Sequence, residues 1–152
     1  LPGIPAVYFH SLVGSPNDLP AVIESGQNRR INRHKYERQN LEDVIAAPQG
    51  LQRRVFEGFR RLLAVRVVQP AFHPDASMEV LPLAGDGLLG FVRTADSGER
   101  LAVIANLTSR PRVIPGGVVD ESLAYDELAL ERIWQQDGIP MKPFQVRWLS
   151  AN

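Results

Sequence analysis

The chain has 152 residues, 44% of them apolar and 22% charged, with 17 basic side chains balanced by 17 acidic ones. That much apolar side chain supports a packed core and speaks against global disorder. A zero net charge speaks against nucleic-acid and membrane-surface partners, no apolar run approaches the roughly 20 residues that cross a bilayer, and Leu1-Pro2-Gly3 carries no secretory signal pattern. There is no cysteine, which excludes disulfides and thiolate chemistry and is compatible with a reducing, cytoplasmic setting.

In chain order, residues 4–10 read as a strand. Ile4, Val7, Tyr8 and Phe9 form a short, nearly continuous apolar run that suits a strand covered on both faces. A long segment, 11–40, follows, rich in Ser, Gly, Pro, Asn and Arg; loops of that length are functional or disordered. Asn17 to Ser25 reads as a short helix within it. Residues 39–47 read as a helical turn closed by Pro48-Gln49-Gly50. Residues 50–69 form the clearest helix, with Leu51, Val55, Phe56, Phe59, Leu62 and Leu63 on one stripe and an i,i+4 pair, Glu57 and Arg61, on the other face.

The pattern changes after Pro70. Short β-like runs at 78–83, 88–94, 100–107, 112–114, 118–119 and 144–150 alternate with turn signals such as Gly85-Asp86-Gly87, Asp96-Ser97-Gly98 and Pro115-Gly116-Gly117. This spacing predicts an antiparallel sandwich, with a hairpin from 88–94 to 100–107. Residues 121–134 fit a helix or a strand pair. The division is therefore 1–70, a strand, a loop and a helix, and 71–152, a small β domain. A lone parallel-type strand cannot satisfy its own edges, so the first part calls for neighbouring strands.

Asn28-Arg29-Arg30-Ile31-Asn32-Arg33-His34 concentrates guanidinium groups in the loop after the strand. Taken alone, such a cluster suits a solvated loop better than a site. Three scattered histidines, His10, His34 and His73, show no metal spacing. The carboxylates Asp18, Glu24, Asp43, Asp75 and Asp86 fall in loops or on solvated faces. Trp134 and Trp148 suit core or edge packing better than sugar stacking at a surface site, Trp148 most clearly.

Several stretches carry a family resemblance. Gly3-Ile4-Pro5-Ala6-Val7-Tyr8 resembles the eighth barrel strand of glycoside hydrolase family 13, the α-amylase superfamily. Gly26 to Tyr36 resembles the sucrose phosphorylase and glucosylglycerate phosphorylase branch. Phe56 to Arg66 with Gln69-Pro70-Ala71-Phe72 resembles the last barrel helix of that branch, and Pro143-Phe144-Gln145-Val146-Arg147-Trp148-Leu149 its closing β-domain strand. The resemblance implies α/β plus all-β architecture: the last strand and helix of a (β/α)8 barrel in 1–70, then a C-terminal antiparallel β-sandwich in 71–152. The chain is thus expected to be the C-terminal piece of a larger protein.

The implied activity of that larger protein is transfer of an α-glucosyl group between phosphate and a small acceptor such as fructose, a sugar phosphate or glycerate, with retention and without cofactor. The alternatives are an amylosucrase- or α-glucosidase-type enzyme, or a non-catalytic carbohydrate-binding β module. The catalytic Asp nucleophile and Glu acid/base are expected upstream, so the piece alone is expected to be inactive. The resemblance makes Arg29, Arg30, Arg33 and His34 the substrate-binding candidates. Arg29 aligns with the donor-glucose arginine, a planar fork that grips two sugar oxygens. The branch reads Gly-Arg-Asp-Ile-Asn-Arg-His here; Asn28 and Arg30 depart from it, and the added cation suits an anionic acceptor. The expected partners are sugar and phosphate, not nucleic acid or membrane; a homodimer is compatible, as is a cytoplasmic location.

Overall fold

The computed structural model describes residues 2–83, 85 and 87–151. Asp86 of the Gly-Asp-Gly turn, and Leu1 of the first tripeptide, lie outside the described residues. The described residues form two compact units, one within 5–64 and the other within 65–151, the second also including residues 2–4.

The first unit is helical: α1 (Phe9–Leu12), α2 (Leu19–Ser25), a 3-10 turn (Asn28–Asn32), α3 (Arg38–Ala46) and most of α4 (Leu51–Val67). The strand expected over 4–10 is absent. Residues 4–8 pair with no strand among the described residues, Tyr8 keeps an extended backbone (φ −68°, ψ 133°), and Phe9 begins α1. Apolar β-formers set a local preference, but a strand exists only where a neighbour accepts its hydrogen bonds. The long loop is subdivided by local signals. Asp18 caps α2 by accepting from the Ala21 N–H at 3.1 Å, a proline occupies its first turn, and Gly26 closes it in the left-handed region.

On α4 the expected stripe is only half-buried at Val55, Phe56, Phe59 and Leu63, while Leu51 and Leu62 are exposed. Glu57 pairs with Arg60 three residues on, at 2.8 Å. Val13 is the buried apolar residue of this unit. No helix among the described residues is long and apolar enough to cross a membrane.

The second unit is sheet-rich and antiparallel throughout. After a 3-10 turn (Pro70–Phe72) come β1 (Ser77–Val80), β2 (Leu88–Thr94), β3 (Arg100–Asn106), β4 (Arg112–Ile114), β5 (Tyr125–Asp126), β6 (Glu131–Arg132), β7 (Ile139–Met141) and β8 (Val146–Ser150). One sheet runs β1-β2-β3-β8-β5-β6; β4 and β7 form a second. The β2–β3 hairpin forms as its pattern predicts, with Phe91 opposite Val103. Residues 121–134 resolve into the β5–β6 strand pair. Val119 is buried without joining a strand, and β7 escaped the sequence pattern because Pro140 interrupts it.

Alternation along the strands builds two cores. Val92, Ala102, Ile104 and Leu149 meet Ile114, Ile139 and Met141 of the smaller sheet, while Phe91, Leu101 and Val103 meet Ala71 and Phe72 on the opposite face. Trp148 joins the second core, its ring centroid 4.7 Å from that of Phe72. Arg147 reaches Asp126 at 2.8 Å, a buried pair that ties β8 to β5.

Two stability consequences follow from this unit. Gly138 has φ +90°, and a Cβ there would stand 2.5 Å from the Ile114 carbonyl oxygen. Gly138→Ala is expected to cost about 2 kcal/mol or more, measured by urea denaturation, because the strained backbone and the β4–β7 pairing cannot both persist. Asp120 accepts from the Ser122 N–H and hydroxyl and from Arg100 at 2.6 Å. The Ser122 amide first, then the Arg100 guanidinium, push its carboxyl down to about 2 from 3.8. A depressed carboxyl stabilises the fold above its unfolded value and loses that contribution as pH falls through the folded one. Asp120→Asn is therefore expected to lower the thermal midpoint modestly at neutral pH, with the difference closing between about pH 4 and pH 2. The pair is about two-fifths exposed, so added salt should shrink the difference.

Candidate functional site

The loop that carries the arginines is held by a polar network. The Tyr8 hydroxyl donates to the Asn32 carbonyl at 2.8 Å, and the Asp18 N–H donates to the Ile31 carbonyl at 2.7 Å. Both bonds close the chain on itself across the 3-10 turn. The Tyr36 hydroxyl donates to Ser15 Oγ at 3.0 Å, and His10 Nδ1 shares the same hydroxyl at 2.9 Å. His34 Nδ1 meets Asp18 Oδ2 at 3.1 Å, and its ring stands edge-on to Tyr36, centroids 4.6 Å apart.

Asp18 is the junction. One carboxylate oxygen caps α2 and the other holds His34. Its carboxyl therefore sits below the ordinary value, held there first by the Ala21 N–H, then by the His34 hydrogen bond, with a smaller pull from the charge of Arg30. A carboxylate engaged on both oxygens orients its neighbours; it is not placed as a nucleophile.

Arg29 and Arg30 lie within the 3-10 turn, Arg33 caps its C-terminal end, and His34 follows. All four are exposed. Arg29 Nε donates to Gln27 Oε1 at 3.4 Å, a weak restraint that leaves most of the guanidinium facing solvent. A shallow cavity of about 280 Å³ lies beside the network, lined by Asp18, Pro20, His34, Tyr36, Val44 and Gln52 among others. Of the four candidates His34 alone lines it. The turn thus gathers three guanidinium groups within five residues, a strong local attraction for anions and for clustered hydroxyls.

Sequence reasoning missed Tyr8, Ser15, Asp18 and Tyr36 as the frame of this loop. The Asp18 cap had a readable signal, an Asp just ahead of Leu19-Pro20. The hydrogen bonds spanning more than twenty residues had none.

No protein-family model matches the chain. Among curated proteins it is similar to a glucosylglycerate phosphorylase of Allomeiothermus silvanus, 40% identical over 149 residues that are 98% of this chain and 24% of the relative. It is 28% identical over 149 residues to the glucosylglycerate phosphorylase of Escherichia coli K12, again 98% of this chain and 26% of the relative. A sucrose phosphorylase of Agrobacterium vitis is 37% identical over 79 residues, 52% of this chain and 14% of the relative. The chain thus spans about a quarter of the length of the glucosylglycerate phosphorylases it matches.

Among solved structures, the trehalulose synthase MutB from Pseudomonas mesoacidophila superposes with a TM-score of 0.54 at 19% identity, over 73% of this chain and 19% of that one. This likeness concerns the fold, and it places the antiparallel architecture among the C-terminal regions of such proteins. With alignments running through nearly all of its length, the chain belongs to the glucosylglycerate and sucrose phosphorylase branch of glycoside hydrolase family 13, and it corresponds to the C-terminal region of the members of that family.

Proposed function

We propose that the protein to which this chain belongs is a retaining phosphorylase that moves an α-glucosyl group between phosphate and a small acceptor. The observation that carries this reading is 40% identity over 98% of the chain to a glucosylglycerate phosphorylase. Residues 1–70 belong to the end of its barrel, and residues 71–152 form its C-terminal β domain. Nucleophile and general acid come from other segments, in keeping with the engagement of Asp18 by its cap and by His34. In a retaining enzyme those two carboxyl groups stand about 5–5.5 Å apart and form and break a glycosyl-enzyme bond, which phosphate then intercepts.

Arg29 binds the donor glucosyl group, and Arg30, with Arg33 and His34 beside it, faces the acceptor side. Arg30 is the departure that favours an anionic acceptor: a fixed cation replaces the carboxylate that the branch otherwise carries there. Glycerate fits this charge better than fructose. A cytoplasmic location agrees with the absence of cysteine and with metabolic substrates; a homodimer is the proposed assembly.

The full-length protein, given glucosylglycerate and phosphate, is expected to release glucose 1-phosphate, and the 152-residue chain alone to release none. Turnover that yields free glucose at a rate independent of phosphate would overturn phosphorolysis in favour of a hydrolase. Arg29→Ala in the full-length protein should lower kcat/KM by about ten- to a hundredfold, the size of a lost charged hydrogen bond. Because Arg29 is exposed and weakly held, the same substitution should leave the thermal midpoint unchanged.

A further inference from the structure

At 87% exposed, Trp134 presents more of its surface than any other large apolar side chain among the described residues. Its neighbours on both sides are anchored. It stands in an extended stretch after β6, and the residues on both sides turn inward. Ile133 packs against the first core and its N–H donates to the Ala124 carbonyl at 2.7 Å. Gln135 is buried, and its Nε2 donates to the Leu123 carbonyl at 2.9 Å. In–out–in alternation between two anchored neighbours leaves the indole projecting from a fixed backbone. Little backbone entropy remains to be lost when something settles on it.

Beside the indole lies a cleft of about 260 Å³, lined by Glu121, Ala124, Ile133, Gln135 and Gln136 together with Arg132. That volume falls just below the roughly 300–1,000 Å³ of pockets for drug-sized ligands, so it suits one small ring. The surrounding surface is polar: Glu131, Arg132, Gln136 and Asp137 are exposed. A protein partner is met by an apolar patch depleted of charge at its centre, whereas the charged Glu121 and Arg132 line this cleft beside its apolar residues.

We propose that this cleft binds a single pyranose ring of an α-glucoside, the indole face stacked on the ring's C–H face and Glu121 and Gln136 bonding its hydroxyls. A flat aromatic flanked by carboxylate and amide groups matches an object with one apolar face and a polar rim. The cleft shares no residue with the arginine loop, so its failure and that of the Arg29 reading are distinguishable.

The test uses the indole N–H resonances of the 15N-labelled full-length protein, those of Trp134 and Trp148 assigned with Trp134→Phe and Trp148→Phe. Titration with methyl α-D-glucopyranoside should shift the Trp134 resonance saturably in the millimolar range and leave that of Trp148, packed on Phe72, in place. Mannitol, which carries similar hydroxyls on an open chain, should shift neither. Gln136→Ala should weaken binding several-fold, and Arg29→Ala should leave it unchanged. Absence of a saturable shift, an equal response to mannitol, or loss of Trp134 exposure to acrylamide quenching in the full-length protein would each overturn the proposal, the last by identifying the indole as a packing surface.

Discussion

The sheet-rich unit rests on a single constraint: β3 is hydrogen-bonded on both edges and covered on both faces. Arg100 to Asn106 pairs with β2 on one side and with β8 on the other. Ala102 and Ile104 enter one core while Leu101 and Val103 enter the other. A strand in that position has no polar face, which is why its sequence reads as a continuous apolar run. Everything else in the unit is arranged to complete it. β4 and β7 roof one side, and the turn at Pro70–Phe72 covers the second. Asn106 ends the strand by turning its side chain to the carbonyls of Arg110 and Lys142, at 2.8 and 2.9 Å, so that the chain leaves the sheet with its polar groups satisfied.

The helical unit is organised on a different principle. With Val13 as its buried apolar residue, hydrophobic burial contributes little to its internal order. Short capped elements and side-chain hydrogen bonds to hydroxyls and carbonyls carry that role instead. Asp18 serves a helix and a histidine at once, and Tyr8, His10, Ser15 and Tyr36 close the loop across long sequence separations. At the same time Val7, Tyr8, Phe9, Leu19, Ile23, Leu51 and Leu62 are exposed. An apolar surface of that extent, in a chain that spans about a quarter of the length of its relatives, is in keeping with the proposed barrel wall.

The network also explains how an arginine-rich loop can be both ordered and available. The side chains that fix the backbone are tyrosines, serine, histidines and an aspartate; the guanidinium groups are not spent on holding the fold. Arg29 touches Gln27 through a long contact, and Arg30 acts on Asp18 only through its charge. Binding groups supported by a separate scaffold can meet a ligand without unravelling the loop that presents them.

Sequence alone determined what depends on neighbours within a few residues. The α4 helix, the short helix read over 17–25, the β2–β3 hairpin around Asp96-Ser97-Gly98 and the β8 strand were all legible, because periodicity and turn residues act locally. Family membership was legible from motifs for the same reason. Tertiary structure decided the rest. It left residues 4–8 unpaired, since a ladder needs a second strand whatever the propensity of the first. It made a strand pair of 121–134, whose pattern fitted two shapes, and recovered β7 despite Pro140, because Ile139 and Met141 complete the core opposite Ile104. It also joined Asp18 to His34, Tyr8 to Asn32 and Tyr36 to Ser15, contacts between residues far apart in the chain that no local pattern encodes.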